Sequence, residues 1–74
     1  MEAATDDATI KALTEAIEKL ESQERALVTL FYYEERSVAE CAAIMGQTEN
    51  NIKVRLHRIR KKLYLLITNK EYEQ

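Results

Sequence analysis

The sequence predicts an all-α fold, a small four-helix domain containing a helix-turn-helix and no strands. Three observations carry that prediction. Apolar residues recur at helical steps of three and four in successive segments. The 74 residues contain no proline and one glycine, so little interrupts a helix. Capping signals then divide the chain, with Ser37 and Glu40 opening one short helix, Gly46 closing it and Thr48 opening a long one. A chain of this length forms one domain that buries only about 60% of its unfolded surface, which leaves little core from which to carve a deep catalytic pocket. The reading is therefore not an enzyme.

The opening MEAATDD is small and acidic and is expected to fray, with Thr5 or Asp6 capping a first helix over about 6–20. Ile10, Leu13, Ile17 and Leu20 form its buried stripe. Ser22 restarts the chain as an N-cap for a second helix, 23–33, which is apolar nearly all round from Ala26. Leu27, Leu30 and Phe31 are its core candidates, whereas Val28, Tyr32 and Tyr33 need cover from another helix or from a partner. Tyr33 to Arg36 ends this helix as a polar turn with neither glycine nor proline.

Ser37-Val38-Ala39-Glu40 is a capping box, in which the serine hydroxyl and the glutamate each satisfy a backbone N–H at the helix start. The helix it opens, 38–45, centres on Ala42 and stops at Gly46, where a left-handed conformation is cheap. Cys41 is expected as a small core residue. Thr48 then caps the fourth helix, 49–68. Its residues Ile52, Leu56, Ile59, Leu63 and Leu66 follow at four, three, four and three. The expected core is Leu13, Ile17, Leu27, Leu30, Phe31, Ala42, Ile52, Leu56 and Ile59. A short helix with alanine at its centre, a glycine turn and a capped long helix make a helix-turn-helix, although Gln47 lies where an apolar residue is commoner.

The net charge of −2 conceals a segregation of sign. Residues 1–45 carry ten acidic and four basic side chains, a balance of minus six, while residues 46–70 set Glu49 against seven cations, a balance of plus six. A local basic stripe governs the field that a phosphate backbone meets at short range, so the acidic average does not exclude nucleic acid. Opposite the apolar stripe of the last helix lie Asn50, Val54, His57, Arg58 and Lys61, flanked by Asn51, Lys53, Arg55 and Lys62. Arginine pairs with guanine and asparagine with adenine through two parallel hydrogen bonds, making Asn50, Asn51 and Arg55 candidates for base readout. Val54 suits a thymine methyl group. Lys53, His57, Arg58 and Lys61 suit phosphate, and Thr48 fixes where the helix begins. Tyr32, Tyr33, Tyr64, Leu65 and Leu66 are candidates for partner docking, Leu65 because it lies opposite the buried stripe.

One cysteine and one histidine supply neither a disulfide nor a metal cluster, and no cofactor is expected. No stretch reaches the length of a membrane span and no leader pattern opens the chain, so no membrane role is expected and the location reads as cytoplasmic.

From about Ala16 to Leu66, LESQERALVTLFYYEERSVAECAAIMGQTENNIKVRLHRIRKKL resembles the fourth conserved region of bacterial sigma factors, especially the extracytoplasmic-function type. NIKVRLHRIRKKL is the most telling part. The resemblance implies a helical domain whose last helix enters the major groove at the promoter minus-35 element, with Asn50, Asn51, Lys53, Val54, Arg55 and Arg58 in that role. It also implies docking on the RNA polymerase flap or on an anti-sigma factor. Glu35 and Arg36 replace the family's frequent glycine and leucine, Cys41 a usual isoleucine, and Val54 a common serine. The family's minus-10-binding region is not in these residues, so the chain looks like an excised domain or a short homologue. Two other classes compete: a self-dimerising regulator of the response-regulator output type, and a module whose basic helix docks only on acidic protein.

Overall fold

The computed structural model describes residues 7–72, and the side chains of residues 7–68. Four helices follow in order: α1 (Asp7–Glu18), α2 (Ser22–Val28), which continues as a wider π-helical turn over Thr29–Tyr33, α3 (Val38–Met45) and α4 (Glu49–Tyr72). No strand occurs among the described residues. At about 1.5 Å per residue the 24 residues of α4 run to about 36 Å. That length accounts for the 40 Å long axis of the molecule.

Leu20, Leu27, Val28, Cys41, Ala42, Ile52, Leu56 and Ile59 form the buried cluster, with Ile17, Leu30, Phe31, Val38, Met45 and Leu63 packed around it. The cluster sits where α2, α3 and α4 meet. Only the end of α1 and the second residue beyond it, Ala16, Ile17 and Leu20, reach inward. This corrects one core expectation, since Leu13 is 38% exposed and Ile10, in the same stripe, 50%. Both lie on the turns of α1 that run beyond the cluster. Leu30 and Phe31 are half-buried, and Val28, which the sequence left in need of cover, is fully enclosed by the protein itself.

Several boundaries also move. α1 ends at Glu18, and the Lys19 and Leu20 N–H groups close a tighter turn on Ala16 and Ile17. The proposed Thr5 or Asp6 cap lies outside the described residues. Ser22 is the first residue of α2 and Glu21 its cap, because the Glu21 N–H donates to the Glu24 carboxylate at 3.0 Å. A glutamate three residues on satisfies that N–H, whereas Ser22 would have Arg25 in the same place. The end of α2 widens, with Glu34 N–H donating to Thr29 C=O and Arg36 N–H to Leu30 C=O, both at 2.9 Å. Glu35 completes the turn with φ 57°.

Ser37 and Glu40 form the expected reciprocal cap, Glu40 N–H to Ser37 Oγ at 3.0 Å and Ser37 N–H to the Glu40 carboxylate at 2.9 Å. Gly46 is left-handed at φ 68°, and beyond it Gln47 N–H donates to Ala42 C=O at 2.9 Å. The bend at Gly46 leads from α3 into α4. α4 itself continues to Tyr72, past the expected end at residue 68.

Candidate nucleic-acid interface

The start of α4 is built to be definite. Thr48 Oγ1 accepts the Asn51 N–H at 3.0 Å, and Thr48 C=O accepts the Ile52 N–H at 3.0 Å. One of the N–H groups left unpaired at a helix start is thereby satisfied, and the rest remain at the positive end of the helix dipole. Ile52, Leu56 and Ile59 are almost wholly buried, which sets the rotation of the helix about its axis. Asn50, Asn51, Lys53, Val54, His57, Arg58 and Lys61 are consequently all exposed. Seven of the nine residues singled out from the sequence thus share the solvent side of one helix. Thr48 is exposed at its cap, with its hydroxyl oxygen occupied.

Arg55 differs from these. It is half-buried, on the side of α4 that faces α2, and it lies in the field of Glu24. Lys62, two turns further along, donates to both Glu24 carboxylate oxygens at 3.0 and 3.1 Å. Burial pushes the Glu24 carboxyl upward, but the Glu21 N–H, the Lys62 ammonium and the Arg55 charge together outweigh it and hold the group below its ordinary value. Sequence reading missed Glu24. The Glu21-x-x-Glu24 spacing marks it as a helix-start residue, but nothing local announces a partner 38 positions away.

The docking candidates divide in a similar way. Tyr33 and Tyr64 are each about two-thirds exposed, and Leu65 is 55% exposed. Leu66 is half-buried. Tyr32 is exposed but engaged, its ring edge-on to Phe31 with centroids 4.9 Å apart and its hydroxyl accepting from Arg60 Nε at 2.9 Å. That contact ties the widened turn after α2 to the middle of α4. It also anchors the exposed Arg60 through one of its five N–H groups.

Cys41 is fully buried, its Sγ 4.0 Å from Arg36 C=O. Burial raises its thiol pKa, the Glu40 charge adds to that, and Arg36 opposes both. A raised pKa in a closed position makes it a packing residue and not a nucleophile. No group of acidic, histidine or cysteine side chains among the described residues has the makings of a metal site. No helix among them is long and apolar enough to cross a membrane.

No curated protein sequence matches the chain. The family model for sigma-70, region 4 matches residues 10–63, which includes most of α1, all of α2 and α3 and the first two-thirds of α4. With the match covering the capped helix-turn-helix and its cationic helix, the chain belongs to the sigma-70 region 4 family, DNA-binding helix-turn-helix domains that act at the promoter minus-35 element in transcription initiation.

Proposed function

We propose that the chain is the minus-35-reading domain of a sigma factor of the extracytoplasmic-function type. The observation that carries the reading is the placement of α4, whose capped start and buried Ile52, Leu56 and Ile59 leave amides and cations together on solvent. In the major groove Asn50, Asn51 and Arg55 read base edges. Val54 lies against a thymine methyl, and Lys53, His57, Arg58 and Lys61 neutralise phosphate. A groove about 12 Å wide takes in only the first part of a helix this long. Its remainder, with Tyr64, Leu65 and Leu66, joins Tyr32 and Tyr33 as the surface for the RNA polymerase flap. An anti-sigma factor of matching apolar character competes for it. The exposure of Tyr33, Tyr64 and Leu65 supports this assignment, because large apolar side chains bound at an interface contribute most of its energy.

The test compares alanine variants in a polymerase complex carrying the chain, on matched and scrambled minus-35 duplexes over a range of salt. Arg55→Ala or Asn50→Ala is expected to cost about 1–3 kcal/mol on the matched sequence and much less on the scrambled one. Arg58→Ala and Lys61→Ala weaken both alike and flatten the salt dependence by about one unit each. Equal losses from all four on both sequences would reduce α4 to an electrostatic surface and reject base readout. NMR shifts at Tyr33, Tyr64 and Leu65 on adding flap domain check the docking surface; no change at any of the three removes it.

A further inference from the structure

The cations of α4 are not all offered to solvent. Arg55 and Lys62 are seven residues apart, close to two full turns, so they lie in line on the side of α4 that meets α2. Glu24 of α2 pairs with Lys62, and its side chain is 16% exposed while that of Lys62 is 44% exposed. The carboxylate is the fixed member of the pair. It is held by the Glu21 N–H at the start of α2 and spans both bonds to Lys62 Nζ. We propose that Glu24 is a positioning residue for DNA recognition, withholding Lys62 from phosphate and so setting where the phosphate contacts of α4 end.

The inference rests on α4 being the DNA-facing helix, and it adds where the phosphate contact ends. Seven residues advance about 10 Å along a helix, less than the major groove's width of about 12 Å. With Arg55 at the bases, Lys62 therefore comes within reach of the flanking phosphates. Glu24 occupies Lys62 with a carboxylate of the same charge sign as a phosphate and in competition with it. A cation that neutralises phosphate adds affinity on every sequence equally, so withholding one lowers binding to matched and scrambled DNA by the same factor and makes both less salt-dependent.

Glu24→Gln, Lys62→Gln and the double variant separate this role from simple structural support. Glutamine at 24 retains an acceptor for the Glu21 N–H but loses the charge. Binding to a matched and to a scrambled duplex is measured from 25 to 200 mM salt, with helicity followed by circular dichroism. Relative to the native chain, Glu24→Gln is expected to steepen the salt dependence by about 0.9 units and to tighten binding to both duplexes alike, roughly tenfold at the lowest salt, with the matched-to-scrambled ratio unchanged. Lys62→Gln leaves the slope unchanged. The double variant returns the slope and both affinities to native. If Glu24 only supported the fold, Glu24→Gln and Lys62→Gln would weaken binding alike, and that result overturns the proposal. A native chain that discriminates between duplexes, with an unchanged slope in Glu24→Gln, rejects the inference and leaves promoter reading intact. A native chain that binds neither duplex at 25 mM salt rejects both.

Discussion

Two turns frame α3, and each reverses the chain through a single left-handed residue, Glu35 at φ 57° before it and Gly46 at φ 68° after it. In both, the next residue's N–H returns to a carbonyl of the helix just ended. Gln47 reaches back five residues to Ala42, and Arg36 reaches back six to Leu30. The extra residue is the one the widened turn over Thr29–Tyr33 takes up. The same closure is thus built twice, once with the residue that suits it and once without. At the Gly46 turn an ideal Cβ would meet nothing within 4 Å, so glycine is required there for its backbone and not for space. The lesson is that a left-handed position does not by itself select glycine, since the surrounding hydrogen bonds hold Glu35 there despite its side chain.

The residues just past each bend differ as well, and here the expected effects are largest. In this type of helix ending the residue after the left-handed position normally makes an apolar contact back onto the helix. Arg36 and Gln47 are both polar. Arg36 is open to solvent, and its Nε lies 3.6 Å from a Glu34 carboxylate oxygen. Gln47 is half-buried, and its Oε1 is enclosed without a hydrogen-bond partner. An orphaned buried acceptor costs about 1–3 kcal/mol, and an apolar side chain of similar size removes that cost. Gln47→Leu is therefore expected to stabilise the chain by about 2 kcal/mol, read as a higher urea midpoint at constant slope. Arg36→Leu serves as the contrast and changes little. Equal shifts from the two would show that the turns do not differ in burial as the structure has them.

Gly46→Ala comes next. A left-handed L-residue costs about 1–2 kcal/mol, and removing glycine from the unfolded chain returns about 0.5–1 kcal/mol of that. The net loss of about 1 kcal/mol corresponds to a fall of roughly 4–8 °C in Tm for a domain of this size. A loss above about 3 kcal/mol would mean that a Cβ meets an obstacle the open space around Gly46 does not contain.

The contrast between the turns also marks what could be read from the sequence. The second turn was legible because each step is local, with Gly46 at the bend and Thr48 capping the next helix two residues on. Asn50 to Lys61 could be placed on solvent because the buried stripe Ile52, Leu56 and Ile59 has a clear period. At the first turn, the same bend made by Glu35 carried no residue signal, and the widening of the helix before it has no composition of its own. Leu13 shows a further limit, since periodicity assigns a face but not how far along a helix the core extends. Glu24 shows a third. Its pairing with Lys62 depends on how α2 crosses α4, which no short window of sequence contains.

The smallest effect tests the comparison most directly. Glu35→Gly places at the first turn the residue used at the second, relieving about 1–2 kcal/mol of left-handed strain while costing about 0.5–1 kcal/mol of unfolded-chain entropy. The Glu35 carboxylate makes no hydrogen bond or ion pair with a described residue, so its removal forfeits no side-chain contact. Residues 32–37 are all exposed and free to relax, whereas Met45 and Gln47 on either side of Gly46 are half-buried and held. Part of the strain at Glu35 is accordingly dissipated already, and the expected gain is about 0.5 kcal/mol, below the loss at Gly46→Ala. Hydrogen exchange at the Glu34 and Arg36 amides gives the local reading, since both donate across this bend and their protection rises with the stability of the turn. Greater stability with slower exchange at both amides is the expected result. A loss of stability would mean that Glu35 is not held left-handed in solution, and the two turns would then close by different geometries.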